Sequence, residues 1–393
     1  MNRAMTRLLF RTFVPVQILL LVAPPLAYCD SENDLSKCLR EVLRRHDVPA
    51  IAVAVVNESG IVASGAAGVR ERGRPEQISL SDRFHLGSNT KAMTATLCAR
   101  LVEKGILRWD TKLIDVSPAL KRKMLPRYQS ITLEQLLTHR AGFPTSVLGN
   151  PQEIQELDMF HDKFPGRPKE ARERCAEFLV SQLPSPTENQ FVYSNANYVL
   201  VSHMVEAELR TSFEESMQEH LFTPLGMSSA GFGAPGTDNL NNQPRGHYGN
   251  GRPVSPGSVE SDNPRLYAGS GTVHGSLADW AKFIQFHLTR GKSHSDLLGG
   301  DSFSVLHLPK KSTTHPSEFD TVAPGALGYS MGWFVFPDGV LTHSGTNLRW
   351  HSQTAVIPKH RVAVLVACNQ GGEQAEKACL EVIQSQIRSQ IAR

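Results

Sequence analysis

A serine and a lysine separated by two residues are the first candidates for chemistry in this chain. Ser88 and Lys91 begin a segment of helical periodicity, so their side chains would lie one turn apart on the same helix face. A serine hydroxyl is a poor nucleophile until a nearby base takes its proton. A lysine can be that base where its surroundings disfavour its charge. The pair alone is weak evidence, because such a spacing is expected by chance roughly once in a chain this long.

A second polar segment, at residues 193–195, opens a predicted helix after a loop rich in Pro, Thr and Asn. The hydroxyl of Tyr193 could shuttle a proton. The amide of Asn195 could hold both a lysine and a substrate carbonyl. An aromatic residue at a helix start is more often a packing residue. This segment therefore indicates catalysis only in combination with Ser88 and Lys91.

A third segment, at residues 343–345, lies at the end of a predicted strand and reads His-Ser-Gly. Gly345 would let a substrate approach the backbone closely, and the N–H of Thr346 could face an oxyanion. His343 adds a side chain beside them. Taken by itself this motif is weaker than the other two.

Together the three motifs resemble those of the serine β-lactamase and penicillin-binding-protein superfamily, particularly its class C β-lactamase and esterase branch. Members carry S-x-x-K, then Y-x-N, then K-T-G or H-x-G, in this order. The resemblance covers roughly residues 34–370, with similar flanks at residues 48–53, 136–143, 224–227 and 328–333.

The resemblance implies a role for each matching residue. Ser88 would be the nucleophile, and either Lys91 or Tyr193 could be the general base. Asn195 would orient the substrate and Lys91, and His343 would line the opposite wall of the cleft. The oxyanion hole would consist of the N–H groups of Ser88 and Thr346.

One departure from the family pattern bears on the substrate. β-Lactamases usually carry lysine where this chain has His343, and a fixed ammonium suits the carboxylate of a β-lactam or of a peptide terminus. An imidazole is mostly neutral at pH 7. We therefore expect an esterase or peptidase rather than a penicillinase. Arg349 could replace the lost charge, although a surface position is commoner for an arginine.

A different class of function has to be weighed as well. The chain could be a penicillin-binding sensor with slow or no turnover, because fold does not fix function. A protein without catalysis has no reason to retain every polar group of a catalytic site. Because all three motifs are intact, we expect an active hydrolase acting on a small-molecule or peptide substrate.

A competing serine motif occurs at residues 328–332, where Ser330 lies in a G-x-S-x-G pattern. In α/β-hydrolases that pattern requires a strand, a sharp turn and then a helix. Here the following residues predict a strand and a hairpin turn at residues 337–339, so we reject Ser330. Fifteen histidines form no H-E-x-x-H motif, and we predict neither a metal site nor a cofactor.

The elements that must position these residues come from both ends of the chain. A helix over residues 34–45 and a hairpin over residues 51–64 precede Ser88. Several strands and a last helix from about Glu373 follow the third motif. We therefore predict an α/β fold, more narrowly α+β, in which both chain ends build a mixed, mainly antiparallel sheet. That sheet part would comprise about residues 34–87 and 266–393, with a mostly helical insertion over about residues 88–265.

The N-terminus predicts an export signal. Arg3, Arg7 and Arg11 precede an apolar run and an abrupt polar stretch, which is typical of a signal peptide over residues 1–29. We expect the remaining domain, residues 30–393, to be periplasmic or secreted. A membrane tether through the N-terminus, such as a lipidated Cys29, is an alternative.

Charge and cysteine usage limit the partners. Without the three arginines of the leader, 38 of the 41 basic side chains remain against 38 acidic ones. A neutral chain has no global attraction to nucleic acid. Cys38 and Cys379 lie on the two terminal helices and could form a disulfide if those helices pack together.

Overall fold

The computed structural model of the protein describes residues 35–143, 166–183, 190–238, 240–310 and 323–392. The predicted signal peptide lies outside these ranges. Eleven α-helical segments occur within them: α1 Ser36–His46, α2 Thr90–Glu103, α3 Leu113–Val116, α4 Leu133–Leu137, α5 Pro168–Leu179, α6 Asn195–Leu209, α7 Phe213–Met217, α8 Ala268–Gly271, α9 Leu277–Leu288, α10 Gly300–Leu306 and α11 Glu373–Ile391. The strands are β1 Ala50–Asn57, β2 Gly60–Gly68, β3 Arg83–His85, β4 Gly231–Phe232, β5 Val273–Ser276, β6 Gly328–Ser330, β7 Trp333–Val335, β8 Leu341–Thr346, β9 His351–Ile357 and β10 Val362–Cys368.

Seven strands form the main sheet, in the order β2-β1-β10-β9-β8-β7-β6. Every neighbouring pair is antiparallel. Strands β1 and β2 come from the start of the chain and the other five from its end, as predicted. The third motif lies on β8, where β9 pairs with all three of its residues, whereas β7 pairs only with the preceding residues Leu341 and Thr342.

Helices cover both faces of this sheet, which explains the nearly continuous apolar run of β1. Helices α1 and α11 pack on one face and α9 on the other. Side chains alternate across a strand, so successive residues of β1 enter two different cores. Ala52 and Ala54 join the core that contains α2 and α9, whereas Val53 and Val55 join the core beneath α1 and α11.

A second, three-stranded sheet in the order β3-β5-β4 lies beside the segment that carries Ser88. The N–H of Leu86 donates to the carbonyl of Val273, which extends the β3–β5 pairing up to the catalytic turn. Helix α6 is buried along most of its length and packs against α4, α5 and α8. The second motif is therefore anchored in the helical part of the molecule.

The disulfide that the sequence allowed between the terminal helices does not form. Helices α1 and α11 do pack together, and Cys38 is disulfide-bonded. Cys379, however, carries a free, buried thiol. Helix α11 turns it toward β10, where it contacts the thiol of Cys368.

Among the described helices, none combines the length and apolarity that crossing a bilayer would require.

Candidate active site

Ser88 lies in a tight turn between β3 and α2. Residues Gly87–Asn89 form one 3₁₀ turn that runs directly into α2, so Ser88 lies in the turn before the helix and not in its first α-helical turn. The amide of Asn89 donates to Ser352 Oγ at 2.8 Å. That hydroxyl in turn donates to the carbonyl of Leu86 at 2.8 Å. These two bonds fasten the turn to β9 and leave Ser88 itself partly exposed.

Lys91 is buried directly beneath the serine. Its Nζ lies 2.9 Å from Ser88 Oγ, 2.8 Å from Asn195 Oδ1 and 2.8 Å from the carbonyl oxygen of Ser270. All three partners are uncharged. Burial lowers the pKa of Lys91 well below that of an ordinary lysine.

Tyr193 approaches the serine from the other motif. Its hydroxyl forms a hydrogen bond with the Ser88 side chain, and burial raises the pKa of the phenol. The Nζ of Lys91 lies 4.8 Å from the centre of its ring. Helix α6 begins two residues later, where Ser194 Oγ accepts from the N–H of Ala196 and caps the helix. The sequence-predicted residues Ser88, Lys91, Tyr193 and Asn195 thus converge on one point.

Two glycines bring the catalytic turn into backbone contact with β8. A Cβ on Gly345 would lie 2.0 Å from the oxygen of Leu86 and 2.7 Å from the nitrogen of Ser88. A Cβ on Gly87 would lie 2.4 Å from the nitrogen of Thr346. The glycine at 345 therefore accommodates the protein's own backbone, and the role in substrate approach that its position in the motif indicated stays a prediction. The contact brings the amides of Ser88 and Thr346 to the same place.

His343 is enclosed by aromatic rings. Its side chain is almost fully buried, and its ring centre lies 6.3 Å from that of Tyr193 and 5.6 Å from that of Phe334. Nδ1 lies 2.6 Å from the carbonyl oxygen of Ser344. A carbonyl only accepts, so Nδ1 carries the proton. Burial, reinforced by the charge of Lys91, lowers the pKa of His343 to about 3, which makes the imidazole neutral at physiological pH.

His139 supports the tyrosine. Its Nδ1 accepts from the N–H of Ser194 at 3.3 Å and lies 3.0 Å from Asn197 Nδ2. Its ring centre lies 4.4 Å from that of Tyr193. The carbonyl of Ser270 is the contact that sequence reasoning missed entirely. A main-chain acceptor leaves no signal in residue types.

Two rival candidates lie elsewhere. Ser330 is on β6, is almost fully buried, and donates its hydroxyl proton to the carbonyl of Leu306 at 2.6 Å. Its strand turns back into β7, not into a helix, as predicted. The guanidinium of Arg349 lies 3.9 Å from the ring centre of Tyr248 and donates to the carbonyl of Leu348, so it packs on another surface element.

In the described parts of the chain, no three His, Cys, Asp or Glu side chains come together in a way that could hold a metal ion.

Similarity to known proteins concerns the family and the fold of this chain. The family model described as β-lactamase matches residues 35–386. Penicillin-binding protein 4 of Amycolatopsis lactamdurans is 28% identical over 335 residues, which are 83% of this chain and 82% of that protein. The unguisins hydrolase of Aspergillus violaceofuscus is 22% identical over 86% of this chain and 61% of its own length. A β-lactamase from Sulfitobacter sp. EE-36 shares the fold with a TM-score of 0.68 at 19% identity, covering 90% of this chain and 95% of that one.

Proposed function

Because the chain belongs to the β-lactamase family, a family of serine hydrolases, we propose that it cleaves ester or amide bonds through a covalent acyl-enzyme on Ser88. One observation carries this proposal: the Ser88 hydroxyl lies between the Nζ of Lys91 at 2.9 Å and the hydroxyl of Tyr193. A nucleophile within hydrogen-bond reach of a buried base is the arrangement that acyl transfer needs.

Lys91 is the general base of this mechanism. A neutral amine has two N–H groups and one lone pair. The carbonyl oxygens of Asn195 and Ser270 each accept one N–H, which leaves the lone pair for the proton of Ser88. Tyr193 is less suited to act as a tyrosinate base, since burial raises its pKa and keeps the phenol protonated.

The proton then follows a closed cycle. Ser88 Oγ attacks the carbonyl carbon while its proton passes to Lys91, and the oxyanion is stabilised by the N–H groups of Ser88 and Thr346. Tyr193 relays the proton from Lys91 to the leaving group, and the acyl-enzyme forms. Water then attacks the acyl carbon, its proton passes through Tyr193 to Lys91, and Lys91 returns it to the departing Ser88.

Small uncharged esters are the substrate class we propose. The position that carries a lysine in most β-lactamases holds His343, whose pKa is lowered to about 3. The imidazole is therefore neutral and offers no ion pair to the carboxylate of a β-lactam. Its Nδ1 proton is also already donated to the backbone. The panel that tests this ranking is a p-nitrophenyl ester, a chromogenic cephalosporin and a D-Ala-D-Ala peptide, compared by kcat/KM.

The nucleophile is tested by covalent labelling. Wild-type protein and the variants Ser88→Ala and Ser330→Ala are treated with a fluorophosphonate, and the adduct is mapped by mass spectrometry. We expect labelling at Ser88 in the wild type and in Ser330→Ala, and none in Ser88→Ala. An adduct on Ser330, or labelling that persists without Ser88, would contradict the proposal. Turnover of the p-nitrophenyl ester distinguishes an enzyme from a sensor. One burst of product in an amount equal to the amount of protein, without further turnover, would identify a binding or sensor protein.

We also propose that the enzyme is exported, either periplasmic or secreted. The support is the pattern of residues 1–29, a basic flank followed by an apolar run and a polar stretch. Fractionation of cells expressing the full chain tests this, with a deletion of residues 2–29 as the control.

A further inference from the structure

Given the function proposed above, on which this step depends, we infer that His85 and Asp262 are positioning residues of the acylation reaction. They hold the amide of Gly87 and, through it, the turn that presents Ser88 to the substrate. Neither residue belongs to any of the three motifs.

The hydrogen bonds of His85 have only one consistent direction. The N–H of Gly87 points to its Nδ1 at 3.1 Å, and an amide can only donate. Nδ1 is therefore unprotonated, and the proton is on Nε2. Nε2 lies 2.5 Å from Oδ1 of Asp262, to which it donates. The side chain of His85 is fully buried and that of Asp262 is only 13% exposed. Both bonds are thus shielded from water.

The amide that His85 holds is at the critical position of the turn. Gly87 has a positive φ of 50°, and its Cα lies against the nitrogen of Thr346. Ser88 follows immediately. A rotation of the backbone at Gly87 would therefore change two things at once. It would change the direction of the Ser88 N–H, and it would change the distance between the N–H groups of Ser88 and Thr346. These two amides form the proposed oxyanion hole, and catalysis depends on their aim at the developing charge.

Asp262 belongs to a segment that touches the other parts of the site as well. We call residues 261–271 the clamp segment. The amide of Asn263 donates to the carbonyl of Gly271 at 2.8 Å, and the adjacent carbonyl of Ser270 accepts from Lys91.

The clamp segment also reaches the loop that follows β8, the strand of the third motif. The amide of Asn347, the residue after Thr346, donates to the carbonyl of Ser261 at 3.2 Å. One short segment therefore contacts the serine turn through His85, Lys91 through Ser270 and the loop directly after Thr346 through Asn347.

Loss of the His85 bond should misdirect the turn without unfolding it. The turn remains fastened by Asn89 to Ser352 and by the contact between Gly87 and Gly345. A misplacement of this kind lowers the rate of the chemical step, on the order of 10- to 100-fold, rather than substrate affinity. We expect kcat for a p-nitrophenyl ester to fall by that factor while KM changes less than about threefold.

The test uses paired variants that either remove or restore the acceptor. His85→Leu removes it, whereas His85→Asn places an amide oxygen near the position of Nδ1. Asp262→Ala removes the partner of Nε2, whereas Asp262→Asn keeps an oxygen acceptor. We expect each conservative variant to recover most of the kcat that its counterpart loses. The control is Asp238→Ala, which breaks exposed bonds to Ser255 and Gly257 and has no contact with the site.

The outcomes separate this inference from the proposed function. If wild-type protein is not labelled at Ser88 by the fluorophosphonate, the proposed function fails. If it is labelled, and Asp262→Ala and His85→Leu react at the wild-type rate, the positioning role is wrong. If His85→Leu does not fold, the Asp262 pair decides alone. A parallel loss in Asp238→Ala, or no recovery in the asparagine variants, would also reject the positioning role.

Discussion

Ser88 and Ser330 lie in two serine motifs of the same chain, and their side chains differ in both exposure and hydrogen-bond partners. Ser88 is partly exposed, and its hydroxyl contacts Lys91 and Tyr193. Ser330 is almost fully buried, and its proton is committed to the carbonyl of Leu306. The same hydroxyl group is a candidate nucleophile at Ser88 and the donor of a structural hydrogen bond at Ser330.

Each serine has a glycine nearby that allows close backbone packing, and the two packing contacts serve different purposes. Gly87 lets the turn bring the Ser88 amide against β8. Gly332, with a φ of 86°, lets the β6–β7 hairpin pack on α2, since a Cβ there would lie 2.4 Å from the nitrogen of Ala92. Ala92 follows Lys91 in the chain. The Ser330 hairpin therefore supports the helix that carries the base, and the motif pattern alone could not distinguish this role from catalysis.

The largest contrast should come from the base. Lys91→Ala removes the group that takes the Ser88 proton, so we expect kcat/KM for an ester to fall by about 10²- to 10⁴-fold. Ser330→Ala should stay within about twofold of the wild type, because its hydroxyl contacts no catalytic group. Retained turnover in Lys91→Ala would assign the base to another residue.

The pH profile sharpens the same assignment. Lys91 accepts a proton only when neutral, so activity should be lost as pH falls through its lowered pKa and should be constant above it. The plateau should therefore begin well below the pH at which an ordinary lysine loses its proton. His343→Gln should leave this limb unmoved, because the pKa of His343 is about 3. A limb that shifts in this variant would mean that the histidine titrates instead.

Steric disruption of the serine turn should rank second. In Gly345→Ala the added Cβ would meet the backbone of Leu86 and Ser88. We expect a loss of about 10²- to 10³-fold in kcat, the usual effect of losing an oxyanion-hole donor. Gly275→Ala, also on a strand, is the matched control, since its Cβ would meet Ala230 only at an ordinary 3.8 Å. Equal kinetics in the two variants would show that the Gly87–Gly345 contact does not set the site.

A smaller change should follow from restoring the family lysine. His343→Lys places an ammonium in the wall of the serine site, where it could pair with the carboxylate of a cephalosporin. We expect the ratio of kcat/KM for cephalosporin over ester to rise about tenfold, equivalent to about 1.4 kcal/mol. His343→Gln, which adds no charge, is the control. An unchanged ratio in the lysine variant would mean that another group decides between the substrates.

The smallest effect concerns the second serine. Ser330→Ala leaves the buried carbonyl of Leu306 without its donor. We expect a loss of about 1–2 kcal/mol in the free energy of unfolding, measured by urea denaturation, with unchanged turnover. Ser88→Ala should be the opposite case, inactive but stable. A Ser330→Ala variant as stable as the wild type would remove the structural role assigned to this hydroxyl.

The sequence by itself determined the elements and the order of the motifs. Helix α11 begins at Glu373, as predicted. A capping box formed by Ser212 and Glu215 opens α7. Periodicity and capping depend on residues a few positions apart, so their signals survive in a single sequence. Lys91 and Tyr193 were found because their residue types match a known order of motifs.

The tertiary structure alone decided which groups meet. Cys379 contacts Cys368 and not Cys38, Ser270 supplies a main-chain acceptor to Lys91, and His85 meets Asp262 across 177 residues of sequence. Each contact depends on how all the intervening elements pack, and none has a local signature. The need for glycine at position 345 also arises from tertiary packing. The space that a side chain would occupy there is filled by the backbone of Leu86 and Ser88, which the fold brings from elsewhere in the chain.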